Sequence, residues 1–239
     1  MQDAIRVLAG DCSVRYRADD DHERRGSVVV LVKPDNTVLV HDADGYQPAA
    51  WLTRADTVRY ARDGDGFALV AASEGERLRV ESHEEFGHAH YPASPAGPPV
   101  GDCPDCGATL VRDGGRVVCT GCLTAYTIPR DADVLAETCG CGLPRMSVER
   151  GAEFVVCVDR TCESIDDAVR ERFDGAWPCP DCGSGLRIER ERGLRAVCEE
   201  CERRLRVPVG TVVDTCECGL PRFAAADGSR CLDPDCAAA

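Results

Sequence analysis

The run CPDCGATLVRDGGRVVCTGC at residues 103–122 returns as CPDCGSGLRIERERGLRAVCEEC at residues 179–201, and TCGCGLPRM at 138–146 returns as TCECGLPRF at 215–223. Self-similarity of this kind marks a repeated structural module. Within it 16 of the 17 cysteines fall into eight close pairs: Cys103/Cys106, Cys119/Cys122, Cys139/Cys141, Cys157/Cys162, Cys179/Cys182, Cys198/Cys201, Cys216/Cys218 and Cys231/Cys236. A structural zinc site takes four soft ligands in a tetrahedron, and two thiolates on a tight turn supply half of it. Eight pairs therefore predict four zinc ribbons, each holding one Zn2+ and closing on consecutive pairs. A crossed arrangement, such as Cys119/Cys122 with Cys139/Cys141, would close a longer loop for no gain.

Two other accounts of the cysteines exist. Disulfide scaffolds belong to secreted chains and do not call for a repeated CPDCG. Rubredoxin-like iron would need two CPxCG knuckles per site, and CTGC and CEEC lack the following glycine.

The chain has 239 residues, a formal charge of −14, 5% aromatic residues, and a single lysine, Lys33, among its 28 basic residues. Metal binding supplies the folding energy of isolated ribbons, so only the first hundred residues are expected to bury an ordinary apolar core. An acidic, lysine-poor composition fits a concentrated-salt cytoplasm, where net charge keeps a protein hydrated. No apolar run approaches 18 residues and the start, MQDAIRVLAGDC, lacks the blocks of a signal peptide, which predicts a cytoplasmic protein with no membrane role.

Residues 1–91 read as β structure. Strands are expected at Ile5–Leu8, Ser13–Arg17, Gly26–Lys33, Thr37–His41, Val58–Ala61, Phe67–Ala71 and Arg77–Glu81, with turns such as Pro34-Asp35-Asn36 and Asp63–Gly66 between them. The continuous valines of Gly26–Lys33 predict a strand buried on both faces. The whole reads as mainly β: a small half-closed barrel, then four zinc ribbons arranged as a duplicated double-ribbon unit. A Pro/Gly linker is expected at 92–101, the first double ribbon at 102–162, a helical spacer at 163–178 with Ile165, Val169 and Phe173 on one face, and the second double ribbon at 179–236.

Trp51 follows the turn residues Gly45 and Pro48, so it either caps the barrel core or is presented to a ligand. Arg24 and Arg25 stand among Asp20, Asp21 and Glu23, as a solvated loop or a phosphate contact. His83, His88 and His90 with Glu84 and Glu85 are read as a solvated strand end, and Cys12 as a buried thiol.

The motifs GDCSVRY, VVVLVKPDNTVLVH and YQPAAW, in that order, resemble the amino-terminal domain of the NucS (EndoMS) mismatch-directed endonucleases. That resemblance implies a half-closed barrel that dimerises and binds single-stranded, flap or mispaired DNA. It implies DNA contact by Arg25, with Arg24 beside it, and base stacking by Trp51. Ala50 stands where the family usually carries Asn, which removes an amide able to read a base edge. The form C-x-C-G-L-P-R…C-x4-C over residues 139–162 and 216–236 resembles the carboxyl-terminal zinc fingers of type IA topoisomerases. Those bind single-stranded DNA, and the matching strands here carry Arg145, Phe154, Arg222 and Phe223.

In the NucS family a nuclease domain with a D…E-x-K motif follows the linker. This chain has no E-x-K, and the ribbons begin in its place, so no nuclease activity is expected. The reading is a non-catalytic DNA-binding protein of repair or replication, with a repair or replication protein as partner. The competing readings are an enzyme acting through another site or a separate catalytic subunit, and a zinc-ribbon adaptor between proteins.

Overall fold

A computed structural model describes residues 4–18, 21–64, 66–226 and 228–236. The chain divides into two compact units, residues 1–94 and 95–239.

The first unit is one antiparallel sheet of seven strands: β1 (Ala4–Arg17), β2 (His22–Val32), β3 (Val38–His41), β4 (Ala50–Leu52), β5 (Thr57–Asp63), β6 (Gly66–Ser73) and β7 (Glu76–Pro92). Their order is β4-β3-β2-β1-β7-β6-β5. The sheet curls until β4 comes against β7, giving a half-closed barrel. Its inward face buries Leu8, Val14, Val28, Val30, Val38, Val40, Leu69 and Leu78, among others.

Three expectations change here. The two early strands are one, because β1 pairs with β2 along Arg6–Tyr16 and crosses opposite β7 by bulges at Ala9/Gly10 and Asp11/Cys12. A Cβ on Gly10 would lie 2.4 Å from the Glu84 carbonyl oxygen, so only glycine lets the strand run through. The valine run of β2 is buried on one face only: Val28 and Val30 point inward while Val29 is 40% exposed. Antiparallel sheets commonly keep one face wet, and valine there serves strand propensity rather than burial. The short strand β4, which carries Trp51, was hidden in the turn-rich YQPAAWLT. Asp65, in the turn expected at Asp63–Gly66, lies outside the described residues.

The second unit contains β8 (Pro99–Asp102), β9 (Thr109–Asp113), β10 (Arg116–Cys119), β11 (Ala125–Thr127), β12 (Asp133–Thr138), β13 (Pro144–Gly151) and β14 (Glu153–Cys157). Helix α1 (Ile165–Phe173) follows, then β15 (Arg187–Arg190), β16 (Leu194–Val197), β17 (Arg204–Arg206), β18 (Gly210–Thr215), β19 (Pro221–Ala225) and β20 (Gly228–Cys231). Strand β8 comes from the Pro/Gly stretch and is part of the first ribbon's sheet, β11-β10-β9-β8. The second and fourth ribbons join through a parallel pairing of Arg150 and Gly151 in β13 with Gly210 and Thr211 in β18.

The ribbons do not lack an apolar core. One continuous cluster of buried residues runs through all four, including Leu110, Met146, Val169, Trp177, Leu186 and Phe223. Four small sheets that could not each enclose an interior pool their faces. The helix is part of that interior: Ser164 caps it by accepting from the Asp167 amide, and Ile165, Val169 and Phe173 are buried. It packs on β14 and β15, between the two double ribbons. Among the described residues no helix is long and apolar enough to cross a membrane.

Candidate metal centres and nucleic-acid interface

The cysteines gather as consecutive pairs: Cys103, Cys106, Cys119 and Cys122; Cys139, Cys141, Cys157 and Cys162; Cys179, Cys182, Cys198 and Cys201; Cys216, Cys218, Cys231 and Cys236. Within each group all four Sγ atoms lie within 4.8 Å of one another. The nearest sulfur pairs are 3.4 Å (Cys106–Cys119, Cys179–Cys201, Cys182–Cys198) to 3.8 Å (Cys103–Cys122) apart. A metal–sulfur bond of about 2.3 Å sets the edge of a tetrahedron at about 3.8 Å. The spacing therefore fits four thiolates around one ion and is far beyond a disulfide bond of about 2.05 Å. The crossed arrangement does not occur among the described residues.

The sequence forces this local geometry. In each CPDCG knuckle the glycine, Gly107 or Gly183, sits at positive φ (71° and 79°) and donates its N–H to the carbonyl of the first cysteine. The chain then bends so that the next residue aims its backbone N–H at the second sulfur, as Ala108 does at Cys106 and Ser184 at Cys182. One thiol per cluster is acidified by such donors. The Thr124 hydroxyl and amide hold Cys122 down to about 6, and the Ser184 amide holds Cys182 down to about 7. The Leu143 and Cys218 amides lower Cys141 and Cys216. Burial pushes Cys157 and Cys231 upward instead, so a cation is needed to hold all four as thiolates. Below the second ribbon, Glu163 accepts from Arg145 (2.7 Å) and from the Cys157 amide (3.0 Å), tying a ligand-bearing loop to β13.

The residues matching the topoisomerase fingers are engaged within their own unit. Phe223 is fully buried, and Phe154 packs edge-on against Phe173 with centroids 6.3 Å apart. Arg145 is held by Glu163 and the Val155 carbonyl, and Arg222 reaches the Ser229 carbonyl and Asp214. Phe223 offers no stacking surface, and Phe154, partly buried, is packed against the pooled core.

The barrel is different. Trp51 is 52% exposed on the edge strand β4 and so is no core residue. It stands at the rim of a pocket of about 400 Å³ lined by Val14, Tyr16, His22, Arg24, Ala49, Ala50 and Glu76. The pairing of Val14 with Arg24 and Tyr16 with His22 sets those side chains on the inward face of the curl, where the core ends and the barrel opens. Arg24 has no ion pair or side-chain hydrogen bond among the described residues. The Tyr16 hydroxyl donates to Glu76 on the far wall, and that carboxylate raises the phenol above its ordinary value. Arg25 points the other way: its guanidinium donates to Asp11 at 2.9 Å and holds that carboxyl below its usual range. The pocket brings Arg24 and Trp51 together, while Arg25 is tied to its neighbour.

The other two candidates behave as solvated or buried groups. His83 meets Ser13, His88 meets Glu85 and His90 meets Arg6, three separate contacts along β7. Cys12 is fully buried, and burial raises its thiol to about 11. Sequence reading missed His22 and Tyr16 as pocket residues. Their signal was the i, i+2 alternation with Arg24, readable only once the register with β1 is known.

Residues 2–95 match the family model described as the Endonuclease NucS N-terminal PH-like domain. Endonuclease NucS 2 of Halobacterium salinarum is 30% identical over 94 residues, covering 38% of this chain and 37% of that protein. DNA topoisomerase 1 of Methanothermobacter thermautotrophicus is 35% identical over 116 residues, covering 44% of this chain and 16% of that protein. The solved structure of an EndoMS–dsDNA2 complex superposes with a TM-score of 0.36 and 25% identity, over 40% of this chain and 41% of that one. The chain thus spans well under half the length of each relative. It carries a NucS amino-terminal PH-like domain at residues 2–95, followed by four four-cysteine clusters, with partial similarity to DNA topoisomerase 1.

Proposed function

We propose that this chain is a DNA-binding protein of repair or replication that takes an unpaired base against Trp51 and performs no nuclease step of its own. The observation that carries the reading is the exposed indole at the rim of a 400 Å³ pocket, beside Arg24, which has no ion pair among the described residues. A base offers a π face to an indole, and Arg24 offers its flanking phosphate a positive charge. Ala49 and Ala50 line the pocket where an amide would read base identity, so the site selects unpaired bases rather than a sequence. The match of residues 2–95 to the amino-terminal domain of an endonuclease family supports this use of the barrel.

The four clusters each hold one Zn2+, which supplies folding energy and no chemistry, since every ligand position is a cysteine. The outer face of β2 and β3 carries Val29, Leu31 and Leu39, none of them buried, and a second copy of the barrel covers it in a homodimer.

The test is a fluorescence anisotropy titration with single-stranded, flap, mismatched and fully paired DNA. Trp51→Ala weakens binding of the first three by about 1–3 kcal/mol, the value of one base–aromatic stack, with metal content unchanged. Arg24→Ala weakens all four and flattens the salt dependence. Equal affinity of wild type and Trp51→Ala for single-stranded DNA would overturn the reading.

A further inference from the structure

A second cleft, of about 570 Å³, opens in the double-ribbon unit between β17 and β20. Both are terminal strands of their sheets, β15-β16-β17 and β12-β13-β18-β19-β20. The floor is apolar, formed by Leu194, Val207 and Leu232, and Val209 at the lip is 55% exposed. Arg206 and Arg230 stand on the two sides. Most arginines of this unit are paired with carboxylates, as Arg150 is to Asp131 at 2.6 Å and Arg203 to Asp233 at 2.9 Å. Arg206 and Arg230 are exposed and have no ion pair or side-chain hydrogen bond among the described residues.

The outer backbone edge of β17, whose residue Arg206 lines the cleft, is unpaired. Val207 donates its N–H to Leu194 (3.0 Å), and Cys198 donates to Arg203 (2.9 Å). Hydrogen-bonded positions alternate along an antiparallel pair. Residues 203, 205 and 207 therefore face β16, while the N–H and C=O of Arg204 and Arg206 face the unpaired edge. An added strand would find both backbone partners and a two-sided environment: Arg206 on the solvent face, Val207 and the apolar floor on the other.

The duplication supplies an internal control. By the offset that lays Cys119 on Cys198, Arg206 corresponds to Thr127 of β11. By the register that pairs Phe223 with Arg230 and Met146 with Val156, Arg230 corresponds to Val156, which is buried. Both arginines belong to the second copy alone, so the ribbon fold does not require them.

We propose that this cleft binds an extended acidic segment of a partner protein, with carboxylates and aliphatic residues in alternation, as a strand added to β17. Carboxylates on one face of the segment meet Arg206 and Arg230, and aliphatic side chains on the other fill the floor. Charge complementarity selects an anion, and the floor selects peptide over nucleic acid: no aromatic residue lines the cleft, and Phe154, Phe173, Trp177 and Phe223 are stacked on one another inside the core. Four backbone groups and an aliphatic floor suit a β-strand, whereas bases would have nothing to stack on.

The test uses the full metal-loaded chain and a fluorescein-labelled peptide of five Glu-Val repeats with blocked ends. Saturable binding is expected, and the double variant Arg206→Gln/Arg230→Gln weakens it by about tenfold or more. Both side chains are exposed and have no ion pair among the described residues, so that variant keeps the wild-type circular dichroism and metal content. A peptide N-methylated at alternate residues, unable to join a ladder, binds at least about tenfold more weakly, and Trp51→Ala leaves peptide affinity unchanged. The proposal is overturned by absence of saturable binding, or by equal affinity of the double variant. It is also overturned if the two substitutions weaken a single-stranded dT oligonucleotide and not the peptide.

Discussion

Phe173, at the end of α1, stacks on Trp177 with ring centroids 4.8 Å apart, and the same indole meets Phe223 of the last ribbon edge-on at 6.0 Å. Phe154 of the first double ribbon meets Phe173 edge-on at 6.3 Å, so this run of rings joins the helix to both double ribbons. Removing the indole leaves a cavity lined by rings that cannot close on one another. Trp177→Ala is expected to destabilise the second unit by about 3–5 kcal/mol while leaving DNA affinity of the barrel unchanged. Thermal unfolding followed by near-ultraviolet circular dichroism checks the first part, and anisotropy the second.

Metal removal gives a sharper contrast between the units. An ion held by four thiolates would contribute about 10–16 kcal/mol of binding free energy to folding at neutral pH. Incubation with a strong chelator is expected to expose Trp177, shifting its emission to the red, while the sheet of residues 4–94 keeps its far-ultraviolet signal. An unshifted Trp177 in protein shown to be metal-free would assign the second unit's stability to its apolar core alone.

Asp11 holds Arg25 by a hydrogen bond of 2.9 Å, on the side of the sheet away from the Trp51 pocket. Asp11→Asn frees that guanidinium for a phosphate and removes one negative charge. The expected result is tighter binding of single-stranded DNA, with a salt dependence steeper by about 0.7 in the log–log slope, one added phosphate contact. An unchanged slope would place Arg25 outside the DNA path.

Cys12 provides a pH test of the barrel. Its thiol is raised from 9.0 to about 11, first by burial and then by Asp11, so the folded state favours the neutral form. The unfolded chain ionises first as pH rises past the ordinary thiol value. The associated stability is thus complete below about pH 9 and is lost on the way to about 11. Barrel melting temperature is expected to drop less between pH 8 and pH 10 in Cys12→Ala than in wild type, measured on the metal-loaded chain. An equal drop in both would remove Cys12 as its source.

Much of this was legible in the chain because ligand chemistry is local. Two cysteines on a knuckle declare their use within five residues, and repetition in register gave the four groups as they stand. Burial is not local, and that is where reading fell short. Nothing in the spacing of Phe154 or Phe223 says that four ribbons share an interior, so their rings looked available when they are packed. Val29 sits in an unbroken valine run yet faces out, since alternation is invisible when both faces carry the same residue type. Trp51 was legible as a candidate through its turn and its motif. That Arg24, not Arg25, shares its pocket follows from a pairing with Val14 that no one-dimensional pattern contains.

The chain has two tryptophans, Trp51 and the buried Trp177. Trp177→Phe keeps an aromatic ring in the core stack and leaves Trp51 as the sole indole. Titrating that variant with a single-stranded dT oligonucleotide, and recording tryptophan emission beside anisotropy, asks directly whether a base lies on the ring. The account predicts saturable quenching of Trp51 with the same midpoint as the anisotropy change. Binding seen by anisotropy with Trp51 emission unaltered would contradict it.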